Sequence, residues 1–181
     1  MRKGLNMTRK ELVMEWYELY YDDIYRFILY MLGDQQYCED LIHDTFVRAY
    51  TAYDRFDQRS SIKTWLFSIA KHLVIDEIRR RKRKKVFMLG LSGKKQVSPF
   101  NVEQHVENKE AIIELMQDIQ RLKPSYRLVI ILNKVEELST KEIANVLDWS
   151  ETKVRKTLSM ALQELRKQHS LKGGVGLEET T

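Results

Sequence analysis

Two prolines and seven glycines in 181 residues leave too few turn-formers for a many-stranded sandwich or barrel. One cysteine, Cys38, excludes an internal disulfide framework and suits a reducing cytosol. No apolar run approaches the roughly 18 residues of a membrane span, and the N-terminus shows no signal-peptide pattern. A soluble protein of the cytoplasm is therefore expected. Catalytic signatures are missing as well. There is no P-loop and no GxGxxG, and His43, His72, His105 and His169 are scattered through different segments. Glu39 and His43 stand one helical turn apart and would make half a metal site. No second pair is visible in the sequence, so a surface pairing is the better reading. Neither an enzyme nor a bound cofactor or metal is expected.

What is present is charge, unevenly spread. Residues 55–95 carry thirteen basic against three acidic side chains, whereas residues 1–54 carry six against ten. The basic block includes seven consecutive cations, Arg79 to Lys85. A strongly basic stretch beside an acidic one points to two surfaces for two partners, one of them polyanionic.

Hydrophobic residues make up 43% of the chain and charged ones 31%, so any core must be shared among amphipathic helices. Thr8-Arg9-Lys10-Glu11 has the form of a capping box and opens a helix. Val13, Trp16, Tyr17, Tyr20, Ile24, Phe27, Ile28 and Met31 give it one apolar face, and Gly33 ends it. A second helix, about 36–53, turns Leu41, Ile42, Thr45, Phe46, Ala49 and Tyr50 inward, with Asp40, Asp44 and Arg48 on its other face. A third is capped by Ser60 or Ser61 and runs to about Lys82, with either His72 or Leu73 on its inner face. Periodicity then fails from about Val86 to Asn101, where Gly90, Ser92, Gly93, Ser98 and Pro99 mark a linker. Helical spacing resumes near Val102 with Ile112, Leu115, Ile119 and Leu122, breaks at Lys123-Pro124-Ser125, and continues with Leu128, Ile131, Leu132 and Val135.

Two segments carry binding chemistry. Ser139-Thr140-Lys141-Glu142 is a second capping box, and with Ser150 as the next cap it frames a helix-turn-helix sharing Ile143, Leu147, Val154 and Leu158. The start of its second helix offers Thr152, Lys153, Arg155, Lys156 and Ser159, the end that such helices place in a DNA major groove. A plain helical hairpin is the bland reading, but cations opposite a regular apolar stripe favour DNA. The basic block interleaves cations with aromatics: Phe56 and Trp65 suit stacking on unpaired bases, and Arg59, Lys63, Lys71 and the run from Arg79 suit phosphates. For Trp65 alone, core packing is the stronger reading.

In this order along the chain, these residues resemble an extracytoplasmic-function (ECF) type sigma factor of the bacterial sigma-70 family, from about Tyr17 to Leu165. The stretch from Asp40 to Tyr50 is similar to conserved region 2.2, which in that family docks on the clamp helices of the polymerase β′ subunit. Phe56 with Ser61 to Ala70 is similar to region 2.3, and Asp76 to Arg80 to region 2.4, which melt and read the −10 promoter element. Leu122 to Arg127 and the helix-turn-helix are similar to region 4, the reader of the −35 element. Three positions depart from the pattern. His72 stands where asparagine is frequent, Asp148 where the turn often has glycine, and Met160 and Ala161 where further arginines are common.

The resemblance implies an all-α protein of two small helical domains joined by a flexible linker. Residues 1–85 form a region 2-like bundle, 86–104 the linker, 105–170 a region 4-like helix-turn-helix domain and 171–181 a flexible tail. It implies core polymerase contacts through Asp40, Asp44, Phe46 and Arg48. The −10 element falls to Phe56, Arg59, Ser60, Ser61, Lys63, Trp65, Lys71, His72, Arg79 and Arg80. The −35 element falls to Thr152, Lys153, Arg155, Lys156 and Ser159. The implied partners are core RNA polymerase (β′ clamp helices and β subunit), promoter DNA and an anti-sigma factor, for which the apolar linker is suited. A conventional dimeric helix-turn-helix regulator using residues 102–167 is the alternative, but it leaves the basic block without a task. An RNA-binding adaptor leaves the capped helix-turn-helix without one.

Overall fold

The computed structural model describes residues 7–56, 58–89 and 109–173, and the regular elements among them are all helical. Helix α1 (Arg9–Leu32) starts at its capping box: the Thr8 hydroxyl accepts the Glu11 amide at 3.3 Å, and the Glu11 carboxylate accepts the Thr8 amide at 2.7 Å. It stops at Gly33, whose φ of 66° turns the backbone left-handed and returns its N–H to the Leu29 carbonyl. A Cβ at Gly33 would lie 3.0 Å from the Gln120 side chain, which would have to shift, and it would also strain the left-handed backbone. Val13, Trp16, Ile24, Phe27, Ile28 and Met31 are buried as their spacing predicts, while Tyr17 is exposed.

A 3-10 turn (Gln35–Tyr37) leads into α2 (Cys38–Thr51). Ile42, Thr45, Phe46 and Ala49 are buried and Leu41 half-buried. Tyr50, expected inward, faces solvent instead, where the Arg9 guanidinium lies 5.6 Å from its ring centre. Helix α3 (Ile62–Leu89) is capped by Ser61, whose hydroxyl accepts the Thr64 amide at 3.1 Å. On α3, Leu73 is buried and His72 exposed, which settles the alternative left open by the spacing. Phe67 of α3 meets Phe27 of α1 edge to face, ring centres 5.3 Å apart, and both are fully buried.

Helix α3 runs seven residues beyond the Lys82 expected as its end, so 86–89 are helix rather than linker. Its cations are tolerated because α3 supplies a counter-charge from one turn earlier. The buried Glu77 carboxylate accepts Arg80 Nε at 2.6 Å and Arg81 Nε at 2.8 Å, and Asp34 lies 3.5 Å from Arg81. The Arg81 guanidinium also lies over the Tyr37 ring at 4.3 Å. The remainder of the expected linker, and the tail beyond Gly173, lie outside the described residues.

The second unit is α4 (Lys109–Arg121), α5 (Pro124–Ile130) running into a π-turn (Ile131–Val135), α6 (Thr140–Leu147) and α7 (Glu151–Gly173). Pro124 at the first position of α5 has no amide to leave unsatisfied. Met116, Ile119 and Leu122 are buried, whereas Leu115 is exposed. The inner face of α4 is rotated from the expected stripe, which brings polar Asp118 and Gln120 inward. The two units share one apolar core, with α3 packed on α6 and the end of α1 against α4 and α5.

The counter-charge at Glu77 gives a prediction with a definite sign. Burial opposes its ionisation, yet the bonds from Arg80 and Arg81 prevail and hold the carboxyl below the usual carboxylate range. Such a group stabilises above its unfolded pKa, and that contribution disappears as pH falls through the depressed folded value. Glu77→Gln should therefore lower helix content at neutral pH, measured by far-ultraviolet circular dichroism. The difference between variant and parent should close in acid.

Candidate nucleic-acid interface

The helix-turn-helix is built as its pattern requires. Ser139 caps α6 through a full capping box, its hydroxyl accepting the Glu142 amide at 3.2 Å. Asp148 takes the left-handed conformation at φ 55° that the turn needs, and the Trp149 amide returns to the Ala144 carbonyl at 3.0 Å. Ser150 caps α7 by accepting the Lys153 amide at 3.2 Å. Val154 and Ala161 are buried, which turns the other side of α7 outward. Thr152, Lys153, Arg155, Lys156 and Ser159 are all exposed on that side. Two of these cations are already oriented: Lys153 Nζ lies 4.0 Å from the Trp149 ring centre, and Arg155 pairs with Glu151 at 3.2 Å.

The ten residues expected at the −10 element separate into three environments. Phe56 and Trp65 are half-buried with ring centres 4.8 Å apart, and both contact the buried Trp16 edge to face. Their rings are engaged with each other and with Trp16 rather than standing as free stacking platforms. Lys63 is tied to Asp23 of α1 at 2.8 Å, and Lys71 is half-buried, its ammonium pushed down in pKa by that burial against a partly offsetting pull from Asp148. His72, Arg79 and Arg80 are exposed along α3.

His72 is exposed on the outer face of α3. Its Nδ1 lies 2.7 Å from the Ser68 carbonyl, and its ring borders an open recess of about 480 Å3 with Arg48, Thr51, Arg55 and Ile69. Arg48 and Arg55 make the recess cationic on its α2 side. Arg55 was not singled out in the sequence, and Arg48 was assigned to polymerase; charge alone on adjacent helices gave no sign that they face His72.

On α2, Asp40, Asp44 and Arg48 are exposed with Glu39, His43 and Val47 beside them. Phe46 is 5% exposed and packs its ring 4.9 Å from that of Tyr17, so it supports this face from beneath. Glu114, Asp118 and His169 converge with ligand-type atoms within 4.8 Å of one another, but Arg121 already supplies Asp118 with a cation at 3.1 Å.

A helix-turn-helix with an exposed cationic helix start, joined to a second helical unit with a basic helix, is a two-module DNA-binding protein. Known proteins make the class specific. Residues 16–84 match sigma-70 region 2 and residues 112–165 match sigma-70 region 4. The ECF RNA polymerase sigma factor SigX of Bacillus subtilis is 33% identical over 162 residues, spanning 86% of this chain and 82% of that protein. SigM of the same organism is 33% identical over 153 residues, spanning 84% and 91%. The chain belongs to the sigma-70 family as an ECF-type sigma factor, a factor of promoter recognition. In fold it is similar to the sigma factor RpoE solved with the anti-sigma factor NepR from Bartonella quintana. That structure has a TM-score of 0.72 at 19% identity, covering 85% of this chain and 94% of that one. With both regions matched in order, the lone helix-turn-helix regulator is not favoured.

Proposed function

We propose that residues 1–85 bind core RNA polymerase and the −10 element, and that 105–170 read the −35 element. The observation carrying this reading is the division of exposed charge between helix faces. An acidic face on α2 stands apart from the cations of α3 and from the exposed start of α7. Asp40 and Asp44 dock on the β′ clamp helices, with Arg48 beside them. Phosphates of the non-template strand follow Arg59, Lys71, Arg79 and Arg80. An unstacked base enters the recess bordered by His72, and its capture offsets an unstacking cost of a few kcal/mol. Lys153 and Lys156 hold duplex phosphates while Arg155 reaches a base edge. The protein works by binding in the cytoplasm, without catalysis or a cofactor. An anti-sigma factor is its natural regulator, a partner that the RpoE structure contains.

Three measurements test these roles. Asp40→Lys with Asp44→Lys should abolish co-purification with core polymerase while circular dichroism stays unchanged, since both side chains are exposed. Undiminished affinity would remove α2 as the docking face. Arg155→Ala should cost about 1–3 kcal/mol in transcription from a preferred −35 element and flatten the preference among −35 variants. His72→Asn should alter base preference at one −10 position in a promoter-library assay and leave −35 preference as it was. Asparagine offers a donor and an acceptor together, whereas the histidine ring donates or stacks. Because His72 is exposed, a loss of melting temperature with no change in preference would refute its role at the base.

A further inference from the structure

The C-terminal end of α3 exposes a surface of mixed character. Steps of three and four bring Arg79, Lys82, Arg83, Val86 and Phe87 onto one stripe, where they line an open groove of about 460 Å3. Phe87 and Val86 are the two most exposed large apolar side chains among the described residues, at 72% and 64%. Such side chains are ordinarily the ones a fold buries.

The sorting of charge on α3 sets this stripe apart. Glu77, on the other side of the helix, takes Arg80 and Arg81, and Arg81 also meets Asp34 and the Tyr37 ring. Among the described residues the ion pairs of the basic run stop at Arg81. Lys82, Arg83, Lys84 and Lys85 all face solvent.

Cations without internal partners, beside two apolar side chains without a core, fit a partner that is anionic and apolar at once. Nucleic-acid phosphates would neutralise the cations but give Val86 no apolar contact. A bilayer with anionic headgroups supplies both, phosphate at the level of the cations and acyl chain beneath. The side chains are suited to those two depths. Lys82 and Arg83 line the groove with long apolar stems and carry their charge at the tip, whereas Val86 and Phe87 end in carbon. No helix among the described residues is long and apolar enough to cross a membrane, so the contact is peripheral.

We propose that this stripe is a peripheral attachment site for anionic phospholipid, with Lys82 and Arg83 on headgroup phosphates and Val86 and Phe87 inserted among the acyl chains. Lys84 and Lys85, flanking the stripe, add longer-range attraction. Val86 and Phe87 lie beyond every residue assigned to the −10 element, so the lipid contact stands or falls apart from that assignment.

Flotation of the full chain with vesicles tests the site. The parent should bind vesicles of equal parts phosphatidylglycerol and phosphatidylcholine but not vesicles of phosphatidylcholine alone, and added salt should weaken the binding. Val86→Ser with Phe87→Ser should lower affinity for the mixed vesicles about tenfold or more, and Lys82→Gln with Arg83→Gln should do the same. All four side chains are exposed, so circular dichroism should be unchanged in both variants. The serine pair should also keep the parent's affinity for mixed-sequence single-stranded DNA. A parent that fails to bind the mixed vesicles would overturn the site. Vesicle binding left intact by the serine pair would make the stripe a plain polyanion surface and overturn the lipid assignment. If the serine pair loses single-stranded DNA as strongly as it loses vesicles, the stripe belongs to nucleic acid instead.

Discussion

Arg127 is the interaction on which the arrangement of the two units depends. Its guanidinium is buried and donates to the Met31 carbonyl, to Gln120 Oε1 at 2.6 Å, to the Gln120 carbonyl at 3.0 Å and to the Leu122 carbonyl at 3.2 Å. Every one of these acceptors is neutral. Burial without a carboxylate beside it brings its pKa down to about 10, which still leaves it charged at neutral pH. A cation in that position is stable only while its acceptors remain fixed, so Arg127 makes the break between α4 and α5 and the end of α1 one structural unit. Gly33 belongs to the same constraint: its missing side chain leaves room for Gln120, which serves both Arg127 and Tyr30.

This explains which parts of the fold the sequence disclosed. Start and stop signals are local, and Thr8, Gly33, Ser61, Ser139 and Ser150 stand where their chemistry predicted. The family resemblance rested on such local patterns and was sound. Arg127 stood at the end of the stretch that resembles region 4, but nothing in its neighbours Lys123, Pro124, Ser125 and Tyr126 signalled that its guanidinium would be buried. The exposed Leu115 and the inward Gln120 have the same origin, because the face α4 turns inward is chosen by its partners rather than by its own periodicity. Helix α3 outran its expected end with one acid that is local, Glu77 one turn before its arginines, and one that is not, Asp34, which reaches Arg81 through space.

The charge asymmetry has a second use for the same reason. Part of the acidic excess in residues 1–54 is spent inside the molecule, with Asp23 on Lys63 and Arg26, Asp34 on Arg81 and Asp54 on Arg9. The acids of α2, Glu39, Asp40 and Asp44, are all exposed and take no part in those pairs, so the negative charge left facing solvent is more localised than composition suggests. The aromatic block behaves similarly. Phe56 and Trp65 lend their rings to Trp16 and to each other, which leaves both only half-exposed.

Binding to nucleic acid is then an exchange of partners rather than a simple gain. Arg155 would leave or share Glu151, Lys153 would leave the Trp149 ring, and Lys71 would leave the neighbourhood of Asp148. Each exchange returns an internal interaction for a phosphate or base contact, so the net affinity of any single cation for DNA is smaller than its charge implies. Discrimination gains from the same arrangement. A cation held beside an internal partner is offered to DNA in a narrow range of positions, and a sequence that fails to meet it there forfeits the internal contact without replacement. A DNA-reading surface built from cations held in this way is therefore weaker, and more selective, than its charge alone implies.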